Sequence, residues 1–149
     1  EHYAYMVAGC VGEFWTRLGL LVLGGAFSTQ PEEVLLRWGV HYGMGLQLVN
    51  ILRDREEDFS RGRSYLPGDD AEPWLEKAEL WLKEGVFYAE SLHNGRLRFS
   101  TVLPAWLGLD TLDLLKQREI PSSRKVKVTR GRVYSRMWKA FLFSWKEAL

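Results

Sequence analysis

The chain has 149 residues, 46% hydrophobic and 26% charged, with a formal net charge of +1. That length suffices for one domain with its own core over residues 1–149, and the balanced net charge does not suggest a nucleic-acid partner. Its one cysteine, Cys10, excludes an internal disulfide and fits a reducing compartment such as the cytoplasm.

Tyr3 to about Gly24 reads as a helix. Gly9 and Gly12 share a face with Ala8 nearby, which lets a second helix approach closely, and Gly24 and Gly25 end it. The longest unbroken apolar run, Leu18 to Phe27, is too short for a bilayer, so no spanning segment is expected. Ser28 or Thr29 is expected to cap the next helix, with Pro31 near its first turn and Glu32 and Glu33 complementing its dipole. That helix runs to about Phe59. Gly62 to Asp70, containing Asp69, reads as a loop. Pro73 opens a third helix, in which Trp74, Leu75, Ala78, Trp81, Leu82 and Gly85 keep helical period as far as His93 or Asn94. Arg96 to Gln117 forms another, with Pro104 a candidate kink and with Asp110 and Asp113 isolated among leucines.

Ile120 to Arg136 is basic. It carries Arg124, Lys125, Lys127, Arg130, Arg132 and Arg136 and no acid, and the alternation of Val126 and Val128 with lysine predicts a short extended piece. Thr129 is placed to cap a last helix with Trp138, Phe141, Leu142, Phe143 and Trp145, flanked by Lys139 and Lys146. Two readings fit that helix: peripheral contact with anionic lipid, or a closing helix packed on the core, which is favoured. The expected class is an all-α bundle of about five to six helices. His2, His41 and His93 have no metal-ligand spacing.

The segment Q-L-V-N-I-L-R-D-R-E-E-D-F-S-R-G-R-S-Y-L-P, Gln47 to Pro67, carries the chemistry. At about 100° per residue, Gln47, Asn50, Asp54 and Asp58 fall on one face of a helix whose Leu48, Val49 and Leu52 point to core. Asp54, Glu57 and Asp58 are spaced to reach one or two centres. Carboxylates without His or Cys suit a hard cation, Mg²⁺ above all, which takes one or two carboxylates plus substrate phosphates. Arg53, Arg61 and Arg63 offer guanidinium forks for phosphate. A solvated charged face is the plain alternative. A calcium loop fails on spacing, since Phe59 and Tyr65 stand where Gly and Glu belong.

This segment resembles the second aspartate-rich motif of the squalene and phytoene synthase family, and Y-A-Y-M-V-A-G-C-V-G-E-F-W-T-R-L, Tyr3 to Leu18, resembles its other signature. The resemblance is strong from Tyr3 to about Pro67. It implies an isoprenoid-synthase type of helical fold and head-to-head joining of two prenyl diphosphates, farnesyl diphosphate or a longer homologue, through a cyclopropyl intermediate. It implies Asp54 and Asp58 as metal-binding acids with Glu57 between them, Gln47 and Asn50 as cavity-lining groups, and Arg53, Arg63 and Arg17 near diphosphate. Tyr3 is implied in the first half-reaction. The family's first aspartate-rich motif would lie upstream of Tyr3, so the chain corresponds to a C-terminal half, expected to hold half a metal site and to be inactive alone. Ala105-Trp106-Leu107-Gly108 replaces the family's tyrosine–arginine pair. The K-V-K-V-T-R tail resembles bacterial squalene-forming members, for which NADPH would be the reductant. The rival reading is a non-catalytic helical half that pairs with another chain.

Overall fold

The computed structural model describes residues 1–68, 70–117 and 126–145. The expectations for Asp69, Ile120, Arg124, Lys125 and Lys146 lie outside them. The described residues form α1 (His2–Ala4), a π-helical turn (Tyr5–Gly9), α2 (Cys10–Leu23), a 3₁₀ turn (Gly24–Ala26), α3 (Glu32–Ser60), α4 (Glu72–Ser91), α5 (Gly95–Lys116) and α6 (Arg130–Trp145). No strand occurs among them; residues 126–129 are irregular, and the one β-type pairing is an isolated bridge between Ser28 and Leu92. The all-α expectation holds.

Each helix packs antiparallel on its chain neighbour, as cross-helix pairs show. Gly9 meets Met44 and Gly12 meets Gly39 across α2 and α3. Tyr42 packs on Gly85, and Gly45 on Trp81, across α3 and α4. Lys116 pairs with Glu79, and Leu82 packs on Gly108, across α4 and α5. Gly95 lies against Ser144, and Asp110 binds Arg132 and Arg136, across α5 and α6.

The α2–α3 seam explains its glycines. A Cβ on Gly12 would lie 2.0 Å from the Gly39 carbonyl oxygen, and one on Gly43 2.3 Å from that of Ala8. The helices meet backbone to backbone, so the helix-propensity cost of Gly39 and Gly43 is offset by close approach. Thr16, fully buried on this seam, shares a hydrogen bond of 2.9 Å with the Tyr88 hydroxyl and so ties α2 to α4.

The main core joins Met44, Leu48, Val49, Ile51 and Leu52 of α3 to Leu75, Ala78, Trp81 and Leu82 of α4 and Leu112 of α5. A smaller cluster of Phe27, Leu35, Tyr88 and Leu92 closes the turn end of α2, and a third sets Ala140 of α6 against Ala89 and Val102. Tyr42 is half-buried and donates to the Thr101 carbonyl at 2.7 Å; desolvation pushes its phenol well above the usual range.

Three local expectations are corrected. Neither Ser28 nor Thr29 caps α3: Pro31 occupies the cap position, and the Ser28 hydroxyl accepts from the Gln30 N–H and donates to Ser91. Asn94, taken as the end of the third helix, caps α5 instead, accepting from Arg96 and Leu97 N–H at 2.9 and 3.3 Å. The helical stretch His2–Ala26 is long and apolar enough, by length and composition, to cross a membrane. Counting unbroken apolar residues misses this because Glu13 and Arg17 interrupt the run. One side of that stretch lies on α3, while Met6, Val11, Phe14, Trp15, Leu21 and Val22 are exposed.

Candidate active site

The end of α3 builds the site. The helix closes in a Schellman arrangement: Gly62 takes φ +73°, its N–H donates to the Phe59 carbonyl at 3.0 Å, and Arg63 N–H donates to the Asp58 carbonyl at 2.8 Å. The chain thereby folds back, and Arg63 returns beside the residue that anchors the turn. Gly68, at φ +79°, turns the chain again, and its carbonyl accepts from Arg55 at 3.4 Å. Asp58, Arg55, Arg63, Tyr65 and Leu66 then line a small hollow of about 50 Å³.

Tyr3 enters from α1. Its ring stacks on Tyr65, centroids 4.9 Å apart at 24°. Partial desolvation, together with Tyr65 and Asp58, raises its phenol above the ordinary value, against the opposing field of Arg63. So Tyr3, Asp58 and Arg63 share one neighbourhood, although 55 residues separate the tyrosine from the aspartate in sequence (58 − 3).

Asp54, one turn earlier, faces a different hollow. It is half-buried and accepts two hydrogen bonds from Arg53, Nε to Oδ1 at 3.1 Å and Nη2 to Oδ2 at 2.7 Å. The carboxylate raises the Arg53 guanidinium further above its already high value. These two residues form one wall of a cavity of about 470 Å³, with Thr111 of α5 and Val126, Lys127 and Val128 opposite. Glu57, on the same helix, is held by Arg61 at 2.6 Å.

The acids therefore do not gather at a single closed centre. No group of three or more His, Cys, Asp or Glu side chains among the described residues is placed to hold a metal ion. Of the two arrangements expected for Asp54, Glu57 and Asp58, one centre or two, the described residues put Asp54 and Asp58 at two adjoining hollows, with Glu57 turned to Arg61. Gln47 is half-buried and Asn50 is exposed, about two to three turns before Asp58 on the same helix.

Arg17 is not brought to the acids. It pairs with Glu13 at 3.0 Å and lies 3.8 Å from Glu32. Since α2 runs antiparallel to α3, Arg17 sits at the opposite end of that helix, about 33 Å along its axis from Asp54 at 1.5 Å per residue. Glu13 also accepts from the Tyr5 hydroxyl at 2.9 Å, which holds the second tyrosine of the signature in this network and raises its phenol.

Sequence reasoning missed Tyr65, Thr111 and the wall made by residues 126–128. Tyr65 had a signal, an aromatic in the loop of the motif itself. Thr111 had none, because its helix is paired with α3 only in space. Asp110, read as isolated, is instead 1% exposed and bound by Arg132 and Arg136.

Residues 1–74 match the family described as squalene/phytoene synthase. The chain is 42% identical to 15-cis-phytoene synthase of Synechocystis sp. over 73 residues, which are 47% of this chain and 22% of that protein. It is 34% identical to phytoene synthase 1, chloroplastic, of Solanum lycopersicum over 104 residues, 65% of this chain and 24% of that one. It is 40% identical to 4,4'-diapophytoene synthase of Staphylococcus haemolyticus over 63 residues, 42% of this chain and 19% of that one. The chain thus spans under a quarter of the length of these curated relatives. The preference for a squalene-forming branch gains no support: its K-V-K-V-T-R tail lies outside the family match, and these relatives carry phytoene-type names.

Proposed function

Because this chain belongs to the squalene/phytoene synthase family, we propose that it supplies one acid-bearing wall of a site where two prenyl diphosphates are joined head to head. The observation that carries this reading is the pair Asp54 and Asp58. They lie one turn apart on α3, each half-buried at a hollow and each with an arginine at its rim. An oxygen-only pair of this kind fits Mg²⁺, which takes one or two carboxylates and completes its shell with substrate phosphates and water. Asp54 and Asp58 would each hold such a cation, at their two adjoining hollows. Bound there, it would neutralise charge on the departing diphosphate.

The chain's own groups do the rest. Arg53 and Arg63 offer paired N–H donors to diphosphate oxygens as the allylic C–O bond breaks. Tyr3 keeps its proton at neutral pH, so its hydroxyl oxygen steadies the proton lost as the cyclopropyl intermediate closes, and the departed diphosphate takes that proton up. Gln47 and Asn50 carry the polar wall further along α3. The substrate class is farnesyl diphosphate or a longer homologue, giving a C30 or C40 hydrocarbon in the cytoplasm. The names of the relatives favour a phytoene-type product, which needs no NADPH.

The test uses the complete protein that carries this sequence, supplied with a C15 or C20 prenyl diphosphate and Mg²⁺, with products read by mass. A head-to-head hydrocarbon that disappears in Asp54→Asn with Asp58→Asn supports the assignment. Undiminished product from that variant ends it.

A second reading concerns membrane contact, and α6 favours it. Trp138, Phe141 and Trp145 stack in an exposed ladder with centroids 5.8 and 5.5 Å apart, and no acid occurs from Arg130 to Trp145. Aromatic and basic groups together suit an anionic interface. Sedimentation with anionic vesicles that is lost in Trp138→Ser with Trp145→Ser would support it; equal sedimentation would remove it.

A further inference from the structure

The strongest feature outside that site is the carboxylate of Asp110. It is buried on α5 and accepts three hydrogen bonds from α6: Arg132 Nη2 to Oδ1 at 2.7 Å, Arg136 Nη2 to Oδ1 at 2.6 Å and Arg136 Nε to Oδ2 at 2.8 Å. The Arg136 guanidinium also lies 5.6 Å from the Trp106 ring centroid. Little else is available to seat this helix. Ala140 is its one buried residue, with Phe143 half-buried against Trp106 and under the Arg98 guanidinium at 4.7 Å. Tyr134, Trp138, Phe141, Leu142 and Trp145 all face outward. A helix with so little buried apolar area depends on its polar anchor.

What α6 carries matters for the site. Residues 126–129 run directly into its first turn, where Thr129 accepts from the N–H groups of Arg132, through its hydroxyl at 3.4 Å, and of Val133, through its carbonyl at 3.0 Å. Val126, Lys127 and Val128 form the wall opposite Arg53 and Asp54, and Thr111, the neighbour of Asp110, lines the same cavity. The anchor and the cavity therefore share one turn of α5.

We infer that Asp110 is a positioning residue: by seating Arg132 and Arg136 it docks α6 and holds residues 126–128 across the Arg53–Asp54 cavity, completing a pocket for the anionic end of a substrate. This rests on the proposed reading of Asp54 and Arg53 as diphosphate-facing groups. It adds that the opposite wall is held by a buried charge cluster remote in sequence from the acidic motif. Lys127 is exposed at that wall, so an anion between it and Arg53 bridges α3 to the start of α6. Docking of α6 and anion binding then favour each other.

The test uses the complete protein with inorganic pyrophosphate and Mg²⁺ as the probe. Amide hydrogen exchange is followed in residues 126–145 and, as control, in α3 and α4; pyrophosphate affinity is measured by calorimetry. Asp110→Asn is expected to speed exchange across α6 at least tenfold while α3 and α4 stay protected. It is also expected to weaken pyrophosphate about tenfold and to abolish the protection that pyrophosphate gives residues 126–133. Arg132→Gln, at a surface arginine, tests the same anchor without emptying a buried site and should move both readings in the same direction by less. Combining Asp110→Asn with Arg132→Gln should add little to Asp110→Asn alone, because both break one cluster. Unchanged α6 exchange in both single variants overturns the anchor. Freed α6 with unchanged pyrophosphate affinity overturns the positioning role. If the wild-type protein fails to bind pyrophosphate at all, the substrate reading falls and takes the positioning role with it, while the exchange result still decides the anchor.

Discussion

Helices α2 and α6 flank the same three-helix body and are seated by opposite means. Helix α2 lies on α3 through bare backbone, with Gly12 over Gly39 and Ala8 over Gly43, and with one fully buried hydroxyl, Thr16. Helix α6 lies on α5 through a charge cluster around Asp110. Close packing is a matter of shape and is indifferent to pH and salt. A buried carboxylate with two arginines is held by direct donors, and removing a partner leaves an uncompensated charge. The candidate site draws from both seams: Tyr3 arrives on the first, residues 126–128 on the second.

The steric seam gives the largest expected effect. Gly12→Leu places a Cβ about where the Gly39 carbonyl oxygen stands, so a backbone must move. The loss should be about 3 kcal/mol or more, read as a lower midpoint in urea. Leu21→Ala, on the exposed side of the same helix, is the control and should shift the midpoint by no more than about 0.5 kcal/mol. Equal midpoints for the two would mean that the seam is not close-packed.

The second test sets the acids between the seams. Asp54→Asn with Asp58→Asn should lower hydrocarbon formation about a hundredfold or more with helix content unchanged. Asp113→Asn, an exposed acid on α5, should leave it within about twofold. A matching loss in both would point to a general effect of negative charge instead of a metal–diphosphate role.

Much of this was legible in the sequence, and the parts that were not share a cause. Period and end signals placed the five long helices, since amphipathic spacing and glycine stops act within one element. The stripe of Gln47, Asp54 and Asp58 was legible for the same reason. Gly9 and Gly12 announced a close approach, and the partner proved to be α3. What periodicity could not supply was pairing between helices. Asp110 looked isolated because its arginines stand 22 and 26 residues away on another helix. Arg17 looked like a neighbour of the acids because both signatures belong to one family, whereas the antiparallel seam carries it to the far end of α3. Whether the carboxylates meet at one centre or two was not legible, because a helical wheel ignores cations on the same helix, and Arg53 and Arg61 each claim one.

The charged seam should reveal itself in acid. Burial alone would raise the Asp110 carboxyl, but the donors on Arg136 and Arg132 outweigh it and hold it at about 2, against an ordinary 3.8. The folded value is depressed, so the stabilisation is fully present above the unfolded value and is lost as pH falls from about 4 towards 2. Its size is roughly 2 kcal/mol. Helix α6 should therefore come free between pH 4 and 2, seen as faster exchange in residues 130–145, before the glycine seam opens. Simultaneous release of α2 and α6 would erase the contrast between them.

The smallest effect sits where Tyr3 meets Tyr65. The rings are stacked at 4.9 Å but both are exposed, so the pair adds only about 0.5–1 kcal/mol. Tyr65→Ala should barely move the urea midpoint, yet it removes the ring that orients the Tyr3 phenol beside Asp58. If Tyr3 acts in the first half-reaction, Tyr65→Ala should slow turnover several-fold, and the same change made in a Tyr3→Phe background should add nothing further. Additive losses would separate the two tyrosines and leave the stack a mere surface contact on the glycine-packed seam.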